Sequence, residues 1–300
     1  MADQPQVKDP LIEGKPTSKY MRLFRIAWMF ELGTAILVII VHWWAKRAGL
    51  DTSAWSWRLV PGILSIAGIN MVAFALNDYF DREIDAQHPT AKLRNPLVTG
   101  EFSLSQARLV IGITAAVTCL LSLLVSPLAL ATNAAYMFIG GIYVAEPIRL
   151  KRRIGLDVIS HMFTVFSYSY FFMTYNFFKW LDVDTILYIN QVISSVMIQL
   201  SQELFDFDHD KLRETNTAIA LGRKGTGIAI RGAHAAYFAV TIIGSISGML
   251  PLWLTGYSLL FGIRLYSVFN SQSYEKILGV YRLGVLLWSV FLLIRHFVIN

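Results

Sequence analysis

The sequence predicts an all-α integral membrane protein with nine transmembrane helices and its N-terminus in the cytoplasm. Three observations carry that prediction. Hydrophobic side chains make up 55% of the 300 residues and charged ones 15%, with a mean hydropathy of +0.51; a soluble domain carries roughly 25% charged residues. Apolar runs of about 20 residues, the length that crosses hydrocarbon, recur along the whole chain. Lys and Arg gather in alternate segments between those runs. The composition excludes a disordered chain, a coiled coil and a disulfide scaffold, and argues against a soluble enzyme. The single cysteine, Cys119, has no partner for an internal disulfide.

In chain order the runs fall near 24–45, 58–79, 104–125, 127–146, 156–178, 185–205, 227–248, 250–269 and 278–298. Each is expected to be a helix, because lipid offers no partner to an open strand edge and the runs are too long for barrel strands. They leave no room for a separate soluble domain, so residues 1–300 read as one membrane domain with a polar tail over 1–20. That tail has no apolar core, and no signal peptide is expected.

With the N-terminus inside, 21 of the 26 Lys and Arg residues fall on the cytoplasmic side and only Lys46, Arg47, Arg58, Lys179 and Arg295 outside. This positive-inside bias sets the orientation. It also accounts for the net charge of +6 without a nucleic-acid partner. Trp43, Trp44, Trp55 and Trp57 cluster at the outer ends of spans one and two, as an interfacial belt does.

Acidic residues number 20, and two short stretches hold eight of them. One runs from Asn77 to Asp85 at the cytoplasmic end of span two, the other from Glu203 to Asp210 at the cytoplasmic end of span six. Asp78, Asp81 and Asp85 are spaced i, i+3, i+7, and so are Glu203, Asp206 and Asp210. At about 100° per residue each triplet forms one stripe. Carboxylates so placed repel one another, and a cation between them relieves the repulsion. Mg²⁺ prefers carboxylate oxygen, keeps several waters and bridges to phosphate. Two facing stripes with Mg²⁺ would receive a pyrophosphate. The alternative, solvated acidic helix ends, leaves the shared spacing unexplained. Arg94 follows the first stripe, and Arg149, Lys151, Arg152 and Arg153 follow span four. The latter run serves either as a topology signal or as a phosphate clamp.

These residues resemble the UbiA superfamily of intramembrane prenyltransferases over nearly the whole chain. Asn77-Asp78-x-x-Asp81-x-x-x-Asp85 is similar to its NDxxDxxxD signature, and Asp206-x-x-x-Asp210 to its second DxxxD signature. Between them, Tyr143-x-x-x-Pro147-x-Arg149-Leu150-Lys151-Arg152 resembles its YxxxPxRLKR stretch. The resemblance implies nine helices around a central cavity that opens sideways to lipid. It implies an isoprenoid pyrophosphate held through Mg²⁺ by both motifs, whose ionisation gives an allylic cation that an aromatic or lipid acceptor captures. Asn77, Asp81, Asp206 and Asp210 are then the metal and pyrophosphate residues, supported by Asp78 and Asp85. Arg94, Arg149 and Lys151 hold phosphate oxygens, and Tyr143 stabilises the cation or transfers a proton.

One departure concerns the acceptor. Where many aromatic-acceptor members have Arg-Pro at the start of span one, Arg25 is followed by Ile26 and Ala27. Glu31 then sits inside the membrane, where an acid costs about 2.5–3.5 kcal/mol. It binds an acceptor hydroxyl, stabilises a cation, or pairs with a nearby base. Asn70, seven residues before Asn77, lies on the same stripe and is a further candidate for lining the cavity. A membrane terpene cyclase, which needs no acceptor, is compatible with the same acidic machinery. A divalent-cation carrier fits less well, because carriers place coordinating acids near mid-membrane.

Overall fold

Every element of the computed structural model is helical among the residues it describes, 18–25, 30–52, 56–87, 91–211 and 215–270. The expected ninth span (278–298) and most of the N-terminal tail lie outside those residues. Among the described residues five helices are long and apolar enough to cross a membrane: α3 (Leu59–Asp85), α5 (Leu104–Val125), α6 (Pro127–Val144), α9 (Asp182–Phe205) and α11 (Thr217–Ile246). Around them stand α1 (Lys19–Leu23), α2 (Phe30–Arg47), α4 (Ala91–Arg94), α7 (Leu156–Thr164), α8 (Phe166–Phe177), α10 (Phe207–Asp210) and α12 (Leu252–Asn270).

Local chemistry sets the boundaries. Ser103 and Gln106 form a reciprocal capping box at the start of α5, satisfying two backbone donors that have no intrahelical partner. Ser126 alone separates α5 from α6. Its hydroxyl accepts from Ala129 N at 2.9 Å, and Pro127 occupies the first position of α6, where no N–H is needed. The two helices therefore fold back on each other as a tight hairpin.

Three expected spans differ from the observed helices. Span two continues six residues past 79, to Asp85, because its carboxylates find partners and helix propagation does not depend on hydropathy. Span five is broken into α7 and α8 at Val165 (φ −73°, ψ −94°). There Phe166 N donates to Ser195 Oγ of α9 at 3.3 Å, and Ser167 Oγ donates to the Met162 carbonyl; side chains thus replace lost backbone partners. The seventh helix starts ten residues early, at Thr217, and kinks at Gly222, whose φ of +68° suits glycine.

Packing links α3 to α5 and α6, α2 to α8, α8 to α9, and α9 to α11, which leads to α12. The two acidic motifs lie at comparable places in the chain: the first ends the long helix α3, the second runs from the end of the long helix α9 through the short helix α10, and a pair of long helices follows each. On α5, Leu109, Ile113, Leu120 and Leu124 are exposed, an apolar face that water would not tolerate at this extent but hydrocarbon does.

Small residues bring the α9–α11 pair close together. A Cβ on Gly244 of α11 would lie 2.8 Å from both Cγ1 and Cγ2 of Ile186 on α9. Gly244→Val is expected to destabilise the protein by about 1–3 kcal/mol, read as a lower thermal midpoint in detergent. Ile186→Ala in the same chain should recover part of that loss.

Candidate active site

The end of α3 presents three buried carboxylates, and each has a separate polar partner. Asp78 is fully buried and accepts from the guanidinium of Arg25. Asp81 accepts from Arg149 Nη2 at 2.9 Å and also from Lys151 Nζ. Asp85 accepts from Asn95 Nδ2 at 2.8 Å. The same Asn95 amide donates to the Asp78 carbonyl at 2.8 Å, and its Oδ1 accepts from Leu97 N. The loop after the motif is thereby folded back on it. Arg94 lies within electrostatic reach of Asp78 and Asp85.

The two arginines reach their partners from unusual backbone. Arg25 has φ +44° and Arg149 φ +43°, a left-handed conformation that costs a non-glycine residue of order 1–3 kcal/mol. Arg25 is further held over the Phe74 ring, 5.3 Å from its centroid. Just upstream, Arg22 pairs with Glu101 and Lys19 lies 4.7 Å over the Phe102 ring, fastening α1 to the loop before α5. Lys151 belongs to a short 3₁₀ turn, Leu150–Arg152, in the loop between α6 and α7.

The second motif is built differently. α9 stops at Phe205, Asp206 is the joint (φ −86°, ψ 3°), and α10 carries the rest. Glu203, Asp206 and Asp210 therefore do not share one straight helical stripe, contrary to the expectation from spacing. Glu203 is buried and turned towards α11, where its Oε2 accepts from Ala218 N at 3.0 Å. Asp157 of α7 accepts from Thr217 N at 2.6 Å and from the Thr217 hydroxyl, and Asn216 Oδ1 accepts from Ile219 N at 2.9 Å. Three side chains thus satisfy the first N–H groups of α11, two of them carboxylates at the positive end of its dipole.

Asp206 is exposed, and Asp210 accepts from Asn216 Nδ2 at 3.5 Å. Asp208 is exposed as well, and hydrogen bonds from Lys211 and Arg223 hold its carboxyl below the usual carboxylate range. The side chain of His209 lies outside the described residues.

Tyr143, at the end of α6, stands between the motifs. Its hydroxyl accepts from Gln199 Nε2 of α9 at 3.4 Å, Gln199 in turn donates to Glu203 Oε1 at 2.6 Å, and the hydroxyl is within electrostatic reach of Asp81 as well. Its ring meets His161 edge to face at 5.0 Å.

The structure therefore brings Asp81, Arg149, Lys151 and Arg94 to the buried end of α3, with Asn77 half-buried beside them. Two further expected residues lie away from this cluster. Asn70 donates to its own helix at Ile66 O (3.0 Å) and accepts from Tyr136 of α6 (3.4 Å), so its amide ties α3 to α6. Glu31 is in the first turn of α2, and its side chain lies outside the described residues. Arg25, Asn95 and Asp157 have structural roles at the site that motif spacing does not reveal.

Asn77, Asp81, Asp206 and Asp210 offer hard oxygen donors, the chemistry Mg²⁺ selects. Among the described residues no three acidic, histidine or cysteine side chains converge on one point. An ion that keeps its waters and shares phosphate oxygens would need few protein donors.

Residues 32–290 match the model of the UbiA prenyltransferase family. The chain belongs to that family. Its fold is shared by a UbiA homologue from Archaeoglobus fulgidus bound to GPP and Mg²⁺, with a TM-score of 0.73, 21% identity, and 92% of this chain and 98% of that one covered. An apo UbiA homologue from Aeropyrum pernix K1 gives a TM-score of 0.69 at 18% identity, over 88% and 98% of the two chains. A structure described for digeranylgeranylglyceryl phosphate synthase in membranes gives 0.60 at 17% identity, over 92% and 95%. No curated protein sequence matches the chain.

The weight of the Arg25–Asp78 pair can be measured. Arg25→Met leaves a buried carboxylate without its counter-charge and is expected to cost about 3–5 kcal/mol in detergent melting. Asp78→Asn in the same chain should recover most of it. An Arg25→Met protein as stable as wild type would show that the pair carries no weight.

Proposed function

We propose that this UbiA-family protein is a Mg²⁺-dependent intramembrane prenyltransferase that ionises an isoprenoid pyrophosphate and transfers the prenyl group to an aromatic or lipophilic acceptor. The observation that carries this reading is the buried cluster of Asp81, Arg149 and Lys151, in a fold that in A. fulgidus binds GPP or DMAPP with Mg²⁺.

Charge distribution supports the assignment. Around the end of α3, Arg25, Arg94, Arg149 and Lys151 face Asp78, Asp81 and Asp85, and Arg149 and Arg152 share Glu146, which leaves one cation more than the carboxylates require. That surplus attracts phosphate. The stretch 203–211 carries four carboxylates, and Lys211 and Arg223 both go to Asp208; the remaining excess attracts cations. A metal-bound pyrophosphate has both kinds of surface.

In this reading Asn77, Asp81, Asp206 and Asp210 hold Mg²⁺, with Asp78 and Asp85 supporting. When bound, the metal supplies charge neutralisation of the leaving pyrophosphate. Arg94, Arg149 and Lys151 hold phosphate oxygens, Arg149 as a two-pronged donor and Lys151 as a point charge. The bond between the allylic carbon and the bridging oxygen breaks with its electrons going to oxygen. An electron pair of the acceptor then closes on that carbon, and the acceptor loses a proton. Tyr143 is assigned to cation stabilisation or proton transfer because it touches the α9 side of the site and feels Asp81. The same reading has one membrane domain with nine spans, an N-terminus in the cytoplasm and the site near that face. Its support is the five apolar helices and the 21-to-5 division of basic residues.

The test uses purified protein in detergent with Mg²⁺ and farnesyl or geranylgeranyl pyrophosphate, with and without an acceptor panel. Asp81→Asn and Asp206→Asn are each expected to slow pyrophosphate release by about 10²-fold or more. EDTA should stop the reaction, and Mg²⁺ should restore it. Near-wild-type release in either variant would sink the site assignment. A cyclic hydrocarbon or terpene alcohol formed without acceptor would identify a terpene cyclase instead.

A further inference from the structure

A small cavity lies far from the acidic motifs, between α2, α9, α11 and α12. Its volume is about 30 Å³, and its polar lining is Thr34, Asn190, Gln191 and Ser258, with Tyr237 and Tyr257 beside them. Asn190 precedes Asp206 on α9 by 16 residues, about 24 Å along a helix. The cavity is therefore not the pyrophosphate site.

Among the described residues, four polar atoms at this place have no hydrogen-bond partner: Thr34 Oγ1, Asn190 Oδ1, Gln191 Oε1 and, one turn on, Ser194 Oγ. Their residues are between 1% and 9% exposed. An orphaned polar atom is costly in a medium without water, and polar groups kept inside apolar bundles mark ligand paths. The sense of the missing bonds can be read. Asn190 Nδ2 donates to Thr241 Oγ1 at 3.0 Å, and Thr241 directs its own hydroxyl hydrogen to the Tyr237 carbonyl at 2.9 Å. Thr241 can therefore only accept from Asn190, which fixes the amide orientation and leaves Asn190 Oδ1 as an acceptor. Gln191 presents a second carbonyl oxygen. The occupant must donate a hydrogen bond.

Size and charge narrow it further. A water needs roughly 10–15 Å³ of such space, so the cavity accommodates a hydroxyl but not an aromatic ring. Among the described residues no charged side chain lines it, which disfavours an ammonium group. The remaining wall includes Leu37, Ile40, Leu187 and Phe261, suited to a hydrocarbon chain.

We propose that this cavity is a second ligand site that takes the hydroxyl end of a neutral, long-chain lipid alcohol. The hydroxyl donates to Asn190 Oδ1 or Gln191 Oε1 and accepts from the Thr34 hydroxyl. The alcohol is a bound effector, since a hydroxyl held about 24 Å along α9 from the acidic motif cannot meet an allylic cation formed there. The site does not depend on the prenyltransferase reading.

The test is equilibrium binding of radiolabelled geranylgeraniol to the full chain in detergent, against the hydrocarbon of the same chain without its hydroxyl. The alcohol should bind at least about tenfold more tightly, the worth of one buried hydrogen bond. Thr34→Val and Gln191→Met, both close in shape to the native residues, should each weaken alcohol binding by about tenfold and leave hydrocarbon binding unchanged. Melting curves check that both variants fold. Equal binding of alcohol and hydrocarbon, or variants that bind the alcohol like wild type, would show that the cavity holds water only and overturn the proposal. With Mg²⁺ and geranylgeranyl pyrophosphate added, mass spectrometry should recover the alcohol unchanged. Recovery of its prenyl ether would place the hydroxyl at the acidic motifs and overturn the proposal. A chain that binds the alcohol but releases no pyrophosphate would refute the transferase reading and leave this site standing.

Discussion

Three carboxylates on one buried helix face constrain everything around them. Asp78, Asp81 and Asp85 repel one another along α3, and a buried carboxylate without a partner costs several kcal/mol. The helix cannot supply the compensation itself, since the only base within the motif, Arg82, turns to the Tyr79 carbonyl and Glu83. Partners must come from elsewhere in the chain. Arg25 comes from the segment before α2, Arg149 and Lys151 from the loop after α6, and Asn95 from the loop after α3. Each partner fastens its own segment to α3, so the architecture of this end of the bundle is largely a consequence of neutralising α3. That two of the arginines hold left-handed backbone is consistent with the same demand, because strain persists only where surrounding contacts over-determine it.

At the second motif the dominant requirement is helix capping. α11 begins at Thr217 with N–H groups that have no intrahelical acceptor, and Asp157, Glu203 and Asn216 supply acceptors from α7, from α9 and from the residue before the helix. Glu203 is consumed in this task. Asp206 stands at the joint and Asp210 on a one-turn helix, outside that cap. The site is thus assembled from one rigid, already neutralised half and one half whose carboxylates stand nearer the surface.

Much of this is legible in the sequence, and the failures have physical reasons. Hydropathy places α5 to the residue, and α6 nearly so, because their ends coincide with Ser and Pro signals as well as with the edges of apolar runs. It misplaces the end of α3, because hydropathy falls at Asp78 while the helix continues on its ion pairs. The break at Val165 has no Gly or Pro to announce it; Ser195, 29 residues away, makes it tolerable. Asp81, Arg149 and Lys151 are readable because they lie in motifs. Arg25 is visible only as a departure from an expected Arg-Pro pair, since its partner is 53 residues distant. Spacing suggests Asn70 as a cavity residue but cannot show its partner, Tyr136, 66 residues away.

The two motifs share one spacing and have different physics, and this shows what spacing can and cannot decide. An i, i+3, i+7 pattern puts side chains on one stripe only while the helix lasts. α3 persists through Asp85, whereas α9 ends at Phe205. The difference lies in the segment after each helix. Asn95 folds back on α3 and supports its last turn, while Asn216 and Glu203 are drawn into the cap of α11. Identical acidic patterns therefore become a cation-rich cluster at one end and a carboxylate-rich turn at the other. For a ligand that is itself an anion carrying metal cations, such inequality is useful. A symmetric pair of half-sites would compete for the same charge, and an unequal pair engages opposite faces of it.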